Sequence, residues 1–127
     1  MKIAVVTGGR EWNNPDAVRR ALEVNGPGID LILHGDCRGL DMQAGDIAQD
    51  MGFLVAQMPA RWDEYGSAAG NVRNRWMLDC NPELVLAFHT DVANSRGTKD
   101  CINQAVSRDI PVLLMDGATT RRVEEPV

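Results

Sequence analysis

Short, continuously apolar runs alternate along the chain with stretches of helical spacing. Ile3-Ala4-Val5-Val6 ends in Thr7-Gly8-Gly9-Arg10, which reads as a strand and its turn. Asn14-Pro15-Asp16 then offers an N-cap and a proline at the first helical position. Val18, Ala21 and Leu22 follow at helical spacing until Gly26-Pro27-Gly28 breaks the chain. A second apolar run, Ile29 to His34, ends in Gly35-Asp36-Cys37-Arg38-Gly39 and leads into a helix from about Leu40 to Gly52. Phe53 to Met58 predicts a third strand, closed by Pro59. The connection from Ala60 to Ala69 carries Trp62 and Tyr65. The helix expected from about Gly70 to Cys80 has Val72, Trp76 and Cys80 on one face, with Arg73 and Met77 beside it. Leu84 to Phe88 is a fourth strand, followed by a polar loop from His89 to Arg96. A helix from about Gly97 to Asp109 and a fifth strand, Pro111 to Met115, complete the series.

Strands that are continuously apolar rather than alternating belong to a parallel sheet covered on both faces. Right-handed crossovers then predict a doubly wound α/β fold of about five strands in the order 3-2-1-4-5. Residues 1–115 form the expected domain, and 116–127, polar and without periodicity, read as a mobile tail. In that order the topology reverses between strands 1 and 4, so a ligand belongs beyond the carboxyl ends of the strands at that crevice.

Composition narrows the function classes. A chain of 127 residues is one domain with room for a core. Its net charge of −5 makes nucleic-acid binding a poor expectation, because displacing counterions takes a basic face. No apolar run approaches the roughly 20 residues of a membrane span, and the apolar start is too short for a signal peptide. Cys37, Cys80 and Cys101 are odd in number and widely spaced, which points to free thiols and a cytoplasmic location. Of the 13 basic residues, 11 are arginine, the better fork for phosphates and carboxylates.

Glycine-bearing turns follow strands 1, 2 and 4, the last being Ser95-Arg96-Gly97-Thr98. Turns between strands and helices take glycine simply to turn. Three of them, each with an arginine, favour an anion cradle at helix N-termini. Neither GxGxxG nor GxxxxGK[ST] is present, so no dinucleotide cofactor or Walker-type site is expected. Arg10, Arg38 and Arg96 lie in these turns, and Arg73 and Arg75 open the helix after strand 3. Cations there oppose the helix dipole unless an anion is shared. His34-Gly35-Asp36 and His89-Thr90-Asp91 both end strands. They would sit about two strand spacings, ~10 Å, apart, so no metal site is assigned. Trp62 and Tyr65 are equally a base-stacking surface or a packing anchor. Trp76 and Met77 suggest core or the surface of a homodimer.

The set Thr7-Gly8-Gly9-Arg10, His34-Gly35-x-x-Arg38-Gly39-x-Asp41, Trp62-x-x-Tyr65-Gly66-x-x-Ala69-Gly70-x-x-Arg73-Asn74-x-x-Met77 and Gly97-Thr98 resembles the YspA/YpsA-related branch of the SLOG superfamily, the DUF2493 group. The likeness runs from about Ile3 to Met115. It implies a Rossmann-like domain that binds nucleotides or nucleotide-derived ligands, often as a sensor or processor of small signalling molecules. A related branch, the LOG-type phosphoribohydrolases, carries PGGxGTxxE. Here Cys101 occupies the glutamate position and Asp100 is one residue off.

The leading expectation is a phosphate held between Gly8-Gly9, Gly97-Thr98 and the first turn of the helix beginning at Gly97. Arg10, Arg73 and Arg96 would neutralise it; Gly35, Arg38 and Asp41 would shape the ribose or base side, with Gly39 and Asn74 completing the set. The rival is an N-glycosidic hydrolase of nucleoside phosphates with Asp36 or Asp41 as catalytic candidates. A third reading is an interaction protein whose arginine edge docks an acidic partner.

Overall fold

A computed structural model describes residues 1–127. The strands are β1 (Ile3–Gly8), β2 (Leu31–His34), β3 (Leu54–Gln57), β4 (Leu84–Phe88), β5 (Val112–Met115) and β6 (Thr120–Val123). The helices are α1 (Pro15–Asn25), α2 (Leu40–Asp50), the single turn α3 (Trp62–Tyr65), α4 (Ala69–Asp79) and α5 (Gly97–Ser107). One sheet runs β3-β2-β1-β4-β5-β6. Its first five strands are parallel, with Val5 opposite Leu33 on one side and Val85 on the other. The expected order 3-2-1-4-5 is therefore present, with one strand added.

The continuous apolar strands divide their residues between two cores. Ala4, Val6, Leu86 and Phe88 face α1 and α2, where they meet Val18, Leu22, Leu40 and Ala44. Val5, Val85 and Ala87 face the opposite way, toward Met77, Leu78, Cys101 and Ile102 of α4 and α5. Period-2 geometry sends neighbours to opposite faces, so a strand covered on both sides must be apolar throughout. No helix is long and apolar enough to cross a membrane.

Two elements differ from expectation. The segment after Met115 is not a featureless tail: β6 pairs antiparallel with β5, and Val123 is buried in the second core. Asp116-Gly117 makes the turn, the Asp116 carboxylate accepting from the Ala118 and Thr119 N–H groups at 2.9 and 2.8 Å. Gly117 sits at φ +101°, where L side chains are rarely found. Beyond β6, the Asn103 side chain accepts from the Val127 N–H at 2.8 Å and donates to its carbonyl at 3.3 Å. In α4 the buried residues are Ala69, Arg73, Asn74, Met77 and Leu78. Cys80 is exposed, and Trp76 is half-buried in an edge-to-face contact with Tyr65. The inner face is thus rotated from the one apolar spacing suggests, because two of its members are polar.

Candidate functional site

The reversal between β1 and β4 opens a cavity of about 530 Å³ above the carboxyl ends of the strands. Thr7, Gly8 and Gly9 form its floor where β1 ends; Gly97 and Thr98 enter from the start of α5, and Gly70, Asn71 and Arg73 from α4. Trp62 and Ser67, Arg10, Ser95 and Arg96, and Cys37, Asp41 and His89 complete its lining.

Eight of the residues expected from sequence line this space: Gly8, Gly9, Arg10, Asp41, Arg73, Arg96, Gly97 and Thr98. The remaining candidates lie outside its wall. Arg38 is exposed and pairs with Glu11 at 3.7 Å. Asp36 is exposed at φ +59°, its N–H donating to His34 Nδ1 at 3.0 Å. Gly35 accepts through its carbonyl from Arg73 Nη1 at 2.6 Å, and a Cβ at this position would run into the guanidinium. Gly39, at φ +79°, lies so close to the Arg10 backbone that no Cβ fits there. These two glycines make room for the Arg73 guanidinium and the Arg10 backbone, both part of the cavity wall. Asn74 acts from beneath: its Oδ1 accepts from Arg73 Nε at 3.0 Å, and its Nδ2 donates to the Gly97 carbonyl at 3.1 Å and to Asp100 at 3.0 Å. It ties the starts of α4 and α5 together.

Arg73 is the central cation, only 6% exposed. Its acceptors are the Gly35 carbonyl and the Asn74 amide oxygen, with Cys37 Sγ at 3.9 Å. No ion pair is formed by Arg73, Arg10 or Arg96, whereas Arg38, Arg61, Arg108 and Arg122 are all paired with carboxylates. The one carboxylate on the wall, Asp41, accepts through Oδ2 from the Gly35 and Cys37 N–H groups at 3.1 and 3.2 Å. Burial pushes its carboxyl above the usual range, against the pull of the Cys37 N–H, the His34 imidazole, the Arg73 guanidinium and the Gly35 N–H. His89 is half-buried, and its Nδ1 accepts from the Asp91 N–H at 2.9 Å. Burial lowers its pKa, with Asp91 acting in the opposite direction.

The helix starts around the cavity share one property. No side chain of the N-cap residue bonds to the first turn of α2, α4 or α5. Ser95 Oγ takes the Lys99 N–H of α5 at 3.0 Å, leaving the Gly97 and Thr98 N–H groups without a side-chain acceptor. The first turn of α4 has no acidic residue. Ser67, Asn71 and Ser95 were not among the sequence candidates. The available signal was the polar first turn of α4 following Gly70, with no acid to satisfy the dipole.

A family model described as "YspA, cpYpsA-related SLOG family" matches residues 1–65. The chain is also 32% identical over 122 residues to the Gene 61 protein of Mycobacterium phage D29, covering 89% of this chain and 95% of that one. The chain belongs to the YspA, cpYpsA-related SLOG family. Membership makes it a nucleotide-related binding or processing domain. No solved structure matches. Within this SLOG chain, the position of the LOG-type glutamate is closed: Cys101 is fully buried in the second core, its thiol pushed up to about 12 by burial and by the Asp100 carboxylate. Asp100 itself accepts from Asn74 and Gln104 at 3.0 and 2.8 Å.

Proposed function

We propose that the chain binds a phosphate-bearing nucleotide or nucleotide derivative in the cavity above β1 and β4, as a sensor or processing domain. One observation carries this reading. Arg73 is buried without a carboxylate partner and lines a cavity onto which the uncapped starts of α4 and α5 open. A buried cation costs several kcal/mol unless an anion compensates it, and helix starts attract the same anion. A phosphate between Gly8-Gly9, Gly97-Thr98 and Arg73 meets both needs, with Arg10 and Arg96 supplying further positive charge. Trp62, 51% exposed on the wall, offers a ring face for stacking a base. Asn71, Ser67 and Asp41 offer polar partners for ribose hydroxyls.

Thermal denaturation with a panel of nucleoside mono- and diphosphates tests this. The expected result is stabilisation of the wild type and none of Arg73→Ala, with circular dichroism showing the variant folded. Equal stabilisation of both proteins would remove the phosphate from this cavity.

A second reading, an N-glycosidic hydrolase acting on nucleoside phosphates, rests on Asp41. It is the one carboxylate on the cavity wall, and its raised pKa suits a group that protonates a departing base. Release of free base from AMP, lost in Asp41→Asn, supports hydrolysis. Binding without release supports a sensor.

A further inference from the structure

Asn74 is 2% exposed, and every polar atom of its amide is engaged. Nδ2 donates to the Gly97 carbonyl and the Asp100 carboxylate, which only accept, while Oδ1 accepts from Arg73 Nε, which only donates. Exchanging the amide oxygen and nitrogen would spoil all three bonds, so the neighbours fix the orientation. Asp100 takes a further bond from Gln104 Nε2 at 2.8 Å, and that amide also donates to the Asn71 carbonyl at 3.2 Å. In the resulting chain, Arg73–Asn74–Asp100–Gln104, one neutral amide stands between a cation and a carboxylate. The usual partner of a buried guanidinium is a carboxylate in a two-pronged pair. Arg73 makes no such pair with Asp100. A carboxylate in place of the Asn74 amide would keep the shape and cancel the charge.

From this arrangement we infer that Asn74 is a positioning residue that sets the charge the cavity selects. It holds Arg73 by a hydrogen bond and keeps the Asp100 carboxylate one side chain away. The guanidinium charge thus stays open to an anion, and a neutral ligand of the same shape gains nothing from it. The inference rests on the phosphate site proposed above and assigns its selectivity to a residue outside the cavity wall.

Asn74→Asp tests it, because the nearly isosteric variant sets a carboxyl group against Asp100. Two carboxyl groups at hydrogen-bond distance share one proton while it is available. With that proton the pair reproduces the amide, one oxygen donating to Asp100 and the other accepting from Arg73. Without it an added negative charge faces the guanidinium. Calorimetric titration with AMP and adenosine, and with UMP and uridine as a second pair, gives affinities relative to wild type between about pH 5 and pH 8.5. The other titratable groups around Arg73, namely Asp41, His34 and Cys37, and His89 on the cavity wall, are common to both proteins. Nucleotide affinity should match wild type at the acid end and fall about ten-fold at the alkaline end, with the nucleoside unchanged throughout. The double variant Asn74→Asp/Asp100→Asn keeps the net charge but has no proton to share. It should bind the nucleotide about ten-fold more weakly at every pH. Wild-type affinity of both variants at the alkaline end overturns the assignment and leaves the phosphate site standing. So does an equal loss of nucleotide and nucleoside, which makes Asn74 a scaffold residue alone. Absence of AMP and UMP binding in the wild type overturns both proposals.

Discussion

The start of α1 satisfies itself. Asn14 accepts from the Ala17 N–H at 3.2 Å, Pro15 removes a donor, and Asp16 adds negative charge to the first turn. The starts of α4 and α5, at the cavity, differ: neither N-cap residue makes a side-chain bond, α4 has no acid in its first turn, and the first-turn acid of α5, Asp100, accepts from Asn74 and Gln104. An isolated helix would be more stable with the first arrangement. Keeping the second leaves positive potential pointing at the space where β1 and β4 diverge. In α2 the two patterns mix, since its first-turn acid, Asp41, serves the loop before it and not its own first turn. The difference separates a helix start that satisfies its own first turn from starts whose N-cap residues leave theirs without a side-chain acceptor.

Substitutions at each kind of helix start test that distinction. The largest effect is expected for Arg73→Ala, with nucleotide affinity falling on the order of 100-fold, about 2.7 kcal/mol, as befits a charged hydrogen bond to phosphate. Calorimetry measures it. Asn71→Asp gives α4 the first-turn acid that α1 already has. Thermal stability without ligand should rise by about 0.3–1 kcal/mol through the helix dipole, while affinity falls about ten-fold. A variant that binds as well as wild type would show that the start of α4 does not face the phosphate. Asn14→Ala should do the reverse, costing about 1 kcal/mol in urea denaturation and leaving affinity unchanged.

The smallest effect concerns pH. Asp41 titrates above its ordinary 3.8 in the folded protein because of burial, so its contribution to stability is fully present below that value and is lost as pH rises through the raised one. Asp41→Asn should flatten that part of the stability–pH curve. His89 has the opposite sign: its pKa is lowered from 6.5, so its contribution is present above 6.5 and declines as pH falls through the lowered value.

Apolar patterning carries most of the fold, since strands buried on two faces leave an unmistakable run of apolar residues. β6 escaped it because three of its four residues are exposed and only Val123 enters the core. The Asp116-Gly117 dipeptide was its available signal. The turn glycines and arginines of β1 and α5 are legible because topology alone sends those loops to the crevice. The role of α4 is not. Hydrophobic spacing has no means of ranking Arg73 and Asn74 as interior residues, since their burial depends on partners far away in sequence, Gly35 and Gly97. Gly35 and Gly39 illustrate the converse. Their motif positions mark them as special, yet what they accommodate is protein.

The fit of the Arg73 guanidinium over Gly35 bears on what a substitution at either position costs. A methyl group at position 35 would push the Arg73 guanidinium away from the Gly35 carbonyl to which it now donates. The two positions, 38 residues apart, therefore shape one buried hydrogen bond together. Without the arginine a side chain at position 35 has room, whereas with it any side chain there costs the guanidinium its place.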